Sequence, residues 1–460
     1  MFRSIRLHAT ACLIAGFAPL VCAQSPSSLA VPEDYFPGLK TLLETALQQS
    51  PRMIARNAEE VIAEAYKAEV RAAQLPSIGG YASYSPYTRE RRGEAPDPVV
   101  IGNNERVAYN FSLNQPVFHW GALRSGTKIA ELRQKMTEGG TADAYRLLVE
   151  QIRAQYLSLV SGKIMLARAR FSQQVADDAL ALARSRRERN VISDADLFTP
   201  TITAEQSRLV TDRSEFDYEN GRILLGKLCG VAAIPDEQIP GEIPAVTPNS
   251  AAVDRVVSEF VSQGEPDTYY TKNLRRGIEI EKLAYKIADS RLKPKLSVSV
   301  GASQDEQTFA FATAQTSKYK IQSVYFGINV NWTIFDSFAT RNAKLASLTR
   351  RRELERTYKE QSGDLLMAVQ NQKRLLEFSA RALAIAEKLL GSSENGVRVA
   401  EEDLRRGVGS QASVDSARLH LYSRRIEAFS ARNDYLLKVS GLLSTTLNDP
   451  ALNLLPAKYR

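Results

Sequence analysis

Cysteine is scarce in this 460-residue chain: three in all, two of them (Cys12 and Cys22) within the first 23 residues. Without that segment Cys229 has no partner, so a disulfide-stapled secreted domain is excluded. Histidine is equally scarce, with three residues. His119 and His420 lie far apart and neither has carboxylate or cysteine neighbours at ligand spacing, so no metal centre is expected. After the N-terminus no segment approaches 18 consecutive apolar residues, which excludes a membrane-spanning helix but not a barrel, whose strands alternate and escape hydropathy. Gly407 and Gly409 are followed by no Lys-Ser/Thr and preceded by no strand, so they are not a phosphate cradle. No nucleophile has a paired base. Asp217 and Asp336 read better as helix caps than as catalytic acids, and neither an enzyme activity nor a cofactor is expected. The charge is mixed, 60 Lys and Arg against 52 Asp and Glu, an excess too diffuse to indicate nucleic acid.

The N-terminus indicates export. Arg3 and Arg6 precede an apolar run, Ala9 to Leu20, too short to span a bilayer, and Val21-Cys22-Ala23 places small residues at a cleavage site. Residues 1–23 read as a signal peptide, with the mature chain starting at Gln24. Leu20-Val21 makes a poor lipobox ahead of Cys22, so N-terminal lipidation is not expected.

The mature chain repeats itself. Phe118 and Phe335 hold one separation in the numbering, and Asn190-Val191-Ile192-Ser193 and Gly407-Val408-Gly409-Ser410, Asp217-Tyr218 and Asp434-Tyr435, and Leu225 and Leu442 hold the same one; Pro76 and Pro294 differ from it by a single position. A separation kept from the first proline to the last leucine marks a duplicated unit. The first unit covers residues 24–231 and the second 251–448. A proline-rich linker (232–250) separates them, since no helix crosses AAIPDEQIPGEIPAVTP, and a tail (449–460) follows.

Both units have the same internal order. A helix opens each, Thr41 to Ala73 with a break near Ser50-Pro51, and Ala252 to Leu292 with a break near Gly264-Glu265-Pro266. Two strands follow, joined by a long polar loop, Thr88 to Glu105 or Asp305 to Gln322. Val107, Tyr109, Phe111 and Leu113 alternate with Ala108, Asn110, Ser112 and Asn114, while Val324, Phe326, Ile328, Val330 and Trp332 alternate with Tyr325, Gly327, Asn329 and Asn331. Such runs of about ten residues suit tilted strands with one apolar and one wet face crossing a bilayer. Very long helices come next. Gly121 to Asn190 contains no proline, and its apolar Tyr145, Leu148, Val149, Ile152, Tyr156 and Leu159 follow helical spacing. A turn at Asn190 to Ser193 sends a helix back to Cys229; Ser337 to Arg406, a turn at Gly407 to Ser410 and a return to Leu447 repeat the plan. About 70 residues make a helix roughly 100 Å long, which can pack only along its length.

Four strands cannot close a barrel, and unpaired edges in lipid cost several kcal/mol per group. A membrane protein of this pattern must therefore oligomerise; three copies give twelve strands, an even number within the range of outer-membrane barrels. The abrupt change of period at QPVFHWGALRSG and NWTIFDSFATRN then marks where the wall leaves the bilayer.

Leu75-Pro76-Ser77, Gln115-Pro116-Val117-Phe118, Asn331-Trp332-Thr333-Ile334-Phe335-Asp336, Gly407-Val408-Gly409-Ser410, and Asp434-Tyr435 with Gly441-Leu442-Leu443, in this order and in duplicate, resemble the TolC-type outer-membrane efflux protein family over essentially the whole mature chain. The resemblance implies a mainly α-helical homotrimer in the outer membrane of a Gram-negative bacterium. It would have a twelve-stranded β-barrel, an α-helical tunnel through the periplasm, and hairpin tips that dock a periplasmic adaptor linked to an inner-membrane pump of RND or ABC type. The pump would supply the energy. Pro76, Phe118, Trp120, Pro294, Trp332 and Phe335 fall at the barrel-to-helix junction. Arg189, Asn190, Val191, Ile192 and Ser193, with Gly407, Val408, Gly409 and Ser410, form the docking tips. The family's narrow aperture commonly carries an acid where this chain has Asp196 and, in the second unit, Ser413, with Asp415 two positions on. Asp196, Asp415, Arg406 and Arg418 are expected to hold the tip closed through ion pairs between hairpins. An exit duct for small toxic compounds is the first reading. A type I secretion duct for an unfolded polypeptide and a periplasm-spanning scaffold without a pore are the alternatives.

Overall fold

Alternation between helix and strand shapes the fold. In the computed structural model, which describes residues 29–92, 99–310 and 316–459, a short α1 (Pro32–Tyr35) leads into α2 (Pro37–Gln49) and α3 (Pro51–Ala72). β1 (Ser77–Arg92) and β2 (Val99–Phe118) follow, then α4 (Ala122–Glu188) and α5 (Asp194–Cys229). The second unit repeats this as α6 (Ser250–Ser262), α7 (Tyr269–Asp289), β3 (Lys295–Ala310), β4 (Thr316–Asn331), α8 (Ala339–Arg405) and α9 (Gln411–Thr445). The helix break expected at Ser50-Pro51 separates α2 from α3, and the one near Gly264 separates α6 from α7. The expected signal peptide lies outside the described residues.

The strands form one antiparallel sheet in the order β1-β2-β3-β4. β1 follows α3, β2 leads into α4, β3 follows α7 and β4 leads into α8, and α3 packs on α4, α4 on α7 and α7 on α8. Sheet and helices thus share one open, four-element order. Further down, α5 pairs with α4 and α9 with α8, and α4 lies against α9.

The core is a belt around the middle of the long helices. The expected stripe on α4, Tyr145, Leu148, Val149, Ile152, Tyr156 and Leu159, is buried. On α8, Val369, Leu376, Leu383 and Leu390 are buried at intervals of seven, a knobs-into-holes spacing. Arg153 lies within the belt, fully buried. Its guanidinium donates to Asp449 Oδ1 (2.8 Å), Glu33 Oε1 (2.8 Å) and Ser440, so α1, α4, α9 and the C-terminal segment meet on one charge.

The expected proline-rich linker, 232–250, is packed on the helices: Ile234, Ile239, Ile243 and Val246 are buried in the belt. Its carbonyls are held by side chains, Ile239 O by Lys163 (2.9 Å) and Ile243 O by Arg432, which also grips Glu387 with two bonds. Proline keeps the segment from forming a helix, while its spaced isoleucines make it a strap. The tail is likewise packed, with Leu452, Leu455 and Tyr459 buried and Lys458 paired with Glu60. The expected polar loops, Thr88 to Glu105 and Asp305 to Gln322, are mostly strand, because β1 runs to Arg92, β2 starts at Val99, β3 ends at Ala310 and β4 starts at Thr316. The strands are thus 16 to 20 residues long rather than ten, since ladder hydrogen bonds remain favourable beyond lipid and polar side chains are then solvated.

Candidate functional site

The sheet has two chemically distinct faces and, among the described residues, two unpaired edges at β1 and β4. On one face the register aligns Leu113 with Val300 and Phe326, and Phe111 with Ala302 and Val324; Val298 meets Ile328, and Leu296 meets Val330. These side chains project into open space, Val324 at 87 %, Phe326 at 72 % and Ile328 at 65 % exposure. From Leu296 to Ala302 the apolar stretch runs roughly 20 Å along the strand, and with Phe111, Leu113 and Val324 to Val330 beside it, it forms a continuous apolar band of the kind that faces lipid on outer-membrane barrels. Further along the strands this face turns polar with Gln304 opposite Gln322 and Glu306 opposite Lys320. The other face carries serine, asparagine, glycine and tyrosine. There the Tyr325 ring lies across Gly301, where an added Cβ would fall 2.5 Å from the ring and 2.8 Å from the Phe111 carbonyl oxygen.

At the foot of the sheet the structure brings the expected junction residues together. Trp120 Nε1 donates to the Pro294 carbonyl (2.7 Å) and Trp332 Nε1 to the Leu292 carbonyl (3.0 Å), so each indole ties a strand-to-helix turn to the end of α7. Phe118 packs edge-on against Trp120, Phe335 against Phe338, and Lys293 lies over the Trp120 ring. Pro76 immediately precedes β1. Indoles at this height suit a membrane interface. Trp120 (φ 53°) and Gly121 (φ 78°) are both left-handed, as are Ser337 (φ 51°) and Phe338 (φ 66°). Two consecutive left-handed residues thus swing the chain from strand into helix in each unit. Sequence reasoning missed this device because three of the four are not glycine; the available signal was that Phe338 follows Gly121 at the repeat interval. Asp336 Oδ2 then accepts from Thr340 N (2.9 Å), the cap expected of it. Asp217 is no cap: it sits inside α5, where backbone N–H groups are already bonded, 4.0 Å from Arg213.

At the opposite end the two turns are alike. Asn190 (φ 58°) and Gly407 (φ 76°) take the left-handed position, Val191 and Val408 project into solvent, and Ser193 and Ser410 cap α5 and α9 by accepting from Asp196 N and Ser413 N. Gly409 lies close under the end of α8, and Ile192 falls within the first turn. Asp196 Oδ2 accepts from Ser193 N (2.9 Å) and Oγ (2.7 Å), bonds that hold its carboxyl below the usual range. Arg418 bonds Glu401 (2.8 Å), Arg406 bonds Glu402, and Asp415 accepts from Gln411 (2.9 Å). Each of the four expected gate residues thus has its partner within its own hairpin, and no ion pair joins any two of them inside one protomer. Arg187 forks onto Asp194, whereas Arg184, Arg186 and Arg189 are exposed with no acid paired to them among the described residues.

Among the described residues no group of three His, Cys, Asp or Glu side chains is placed to hold a metal ion, and no helix is long and apolar enough to cross a membrane. Cys229 is buried, and burial pushes its thiol up to about 11.

The fold is that of several solved channels. The Campylobacter jejuni CmeC outer membrane channel superposes with a TM-score of 0.68 at 12% identity, over 98% of this chain and 99% of that one. The outer membrane protein VceC of Vibrio cholerae gives 0.65 at 17% identity, over 90% and 97%. The open-state MtrE outer membrane channel of Neisseria gonorrhoeae gives 0.61 at 15% identity, over 89% of each chain. No curated protein sequence matches the chain. The family model for outer membrane efflux proteins matches residues 42–211 and 282–446, both repeats and most of the chain. This chain belongs to the outer membrane efflux protein family.

Proposed function

We propose that the protein is the outer-membrane exit duct of a tripartite efflux pump, built by three copies whose sheets close a twelve-stranded barrel and whose helices continue it as a periplasmic tube. The open edges carry this reading. Large exposed apolar residues on the helices are concentrated at the two rims of the protomer. On α8 these include Phe378, Ile385 and Val399, and on α5 Leu209, Phe216 and Ile223. All six fall on intervals of seven or fourteen, an unpaired coiled-coil seam on each rim. Seams on opposite rims make a heterologous contact, which closes into a ring when the rotation allows. A pore-free scaffold gives no reason for a sheet with one lipid-like band and one wet face.

The tips suit the docking of a periplasmic adaptor: an exposed valine stands at the same place in each turn, and Arg184, Arg186 and Arg189 offer positive charge to acids on the partner. The gate hypothesis takes a modified form. Asp196, Asp415, Arg406 and Arg418 would exchange their present partners for those of a neighbouring hairpin when the tip closes. Small toxic compounds are the proposed cargo, driven by an inner-membrane pump.

The test is detergent extraction of full-length protein from outer membranes. A heat-labile trimer that migrates more slowly before heating than the monomer it yields afterwards, and that conducts ions in planar bilayers, is expected; a monodisperse monomer without conductance overturns the reading. Drug sensitivity of a deletion strain, with its secreted proteins unchanged, separates efflux from polypeptide secretion.

A further inference from the structure

The two hairpins of the sheet are copies of each other down to the register. In the first, Ser77 faces Asn114, Gly80 faces Phe111 and Tyr84 faces Val107. Shifted by the intervals from Pro76 to Pro294 and from Phe118 to Phe335, these residues become Lys295 and Asn331, Val298 and Ile328, and Ala302 and Val324, and each of these pairs also faces across its hairpin. β3 is thus the counterpart of β1, and β4 that of β2. Between the hairpins, β2 and β3 share a ladder in which Leu113 faces Val300, Phe111 faces Ala302, and Gln115, Pro116 and Phe118 face Val298, Ser297 and Leu296. The counterparts of these two joined strands, β4 and β1, are the open edges. β2 reaches Phe118 because β3 pairs its last residues, whereas β4 has a neighbour on one side only and stops at Asn331, the counterpart of Asn114.

We propose that β4 of one protomer pairs with β1 of the next in the register that β2 and β3 use inside the protomer. Val330 then faces the partner's Ala82, Asn329 the partner's Ser83 and Ile328 the partner's Tyr84. The ladder continues past Asn331, setting Trp332 opposite the partner's Gly80 and Phe335 opposite the partner's Ile78. This rests on the exit-duct reading above and adds to it the contact by which one protomer recognises the next. The two edges are complementary in this register. Ala82 and Tyr84 share a face with Tyr109 and Val107, so the apolar band runs on across the boundary, whereas a slip of one residue would turn it against the wet face of the next sheet. Ile78, Trp332 and Phe335 are all exposed, and the register covers Ile78 with Phe335 and sets the indole beside a residue without a side chain. At the foot, Lys293 lies over the Trp120 ring inside the protomer. The counterparts of these two residues on the open edges are Leu75 and Ser337, and Phe338 beside Ser337 is exposed, as is Leu75, so the same joint is apolar between protomers.

The test is disulfide formation in trimers extracted from outer membranes, where Cys229, being buried, offers no competing thiol. V330C/A82C probes the outer face and N329C/S83C the inner one. Hydrogen-bonded and non-hydrogen-bonded pairs alternate along an antiparallel ladder, so one of the two has the closer Cα spacing of about 4.5 Å, within the range a disulfide bridges. After mild oxidation that pair is expected to abolish the heat lability of the trimer, with reductant restoring it. The corresponding single-cysteine variants are expected to stay heat-labile. V330C/Y84C and V330C/G80C, slipped by two residues on the same face, are expected to link less than the matched pair. Where one matched pair fails to assemble, the other reads the register. Trimers that form but stay heat-labile with every matched pair that assembles, or that link more through a slipped pair, overturn the proposal. Wild-type protein that forms no trimer overturns the duct reading instead.

Discussion

Arg153 shows how much a single residue decides in this chain. Among the described residues it is the largest fully buried side chain, and it faces two carboxylates, Glu33 and Asp449. Burial raises the Glu33 pKa more than the neighbouring guanidinium lowers it. A carboxyl whose pKa is raised by folding contributes stability where it is protonated, and that contribution is lost as the pH rises through the raised value. Glu33→Gln keeps an oxygen acceptor for Arg153 and removes the excess charge. It is therefore expected to be at least as stable as wild type at neutral pH in thermal unfolding, with the difference closing as the pH falls towards the ordinary carboxylate range. Arg153→Met leaves two buried carboxylates without a partner and is expected to cost about 3–5 kcal/mol. Asp194 and Asp196 behave in the opposite sense. Their pKa values are held down by Arg187 and Ser193, so their support of the first tip is lost as the pH falls below the usual aspartate value. Cys229 is buried and its thiol raised; native protein is expected to resist thiol alkylation that proceeds readily once the chain is unfolded.

At the scale of elements, the recurring device is a left-handed residue at a change of direction. Trp120 and Ser337, Gly121 and Phe338, Asn190 and Gly407, and Gly230 and Leu447 all have positive φ and form pairs at the repeat interval. The turn at Asn190 and Gly407 was legible, because glycine and asparagine tolerate this region. Leu447 and Phe338 were not, because nothing about an apolar side chain announces positive φ. Gly407→Ala meets no neighbouring atom within 4 Å, so its expected cost, about 1–2 kcal/mol, is purely that of the backbone. Hydrogen exchange at the second tip should reveal it as faster opening, with Asn190→Gly at the first tip neutral or slightly protective. Gly301→Ala has a different cause. Its methyl group would meet the Phe111 carbonyl of the adjacent strand, which cannot move without breaking the ladder. Fewer heat-modifiable trimers are expected, even with the helical belt folded.

At the scale of the whole molecule, the apolar surface left open at the rims sets the behaviour. Leu375 and Phe378 are exposed on α8 and lie outside the buried cluster that forms the protomer's core. L375D/F378D is expected to leave the helix content of the protomer unchanged while shifting it from trimer to monomer in light scattering of detergent-solubilised protein. A trimer that survives both aspartates would place the contact elsewhere.

Much of this architecture was legible because it is periodic. Alternation of two marked the strands, spacing of three and four marked the α4 stripe, and one constant interval between matching segments such as Asn190–Ser193 and Gly407–Ser410 exposed the duplication. Each is a repeating local constraint that a single chain displays without reference to its neighbours. The rest of the belt was not legible. The proline-rich stretch and the tail lack any period, and their burial arises from contacts between segments remote in the chain, such as Arg153 with Asp449 and Arg432 with the Ile243 carbonyl. The tips show the same division. Sequence placed Asp196, Asp415, Arg406 and Arg418 beside the two hairpin turns, but their partners depend on side-chain reach across folded helices. Local periodicity determined the elements and their order, and tertiary structure alone decided which charges meet, because those pairings depend on distances that no interval along the chain encodes.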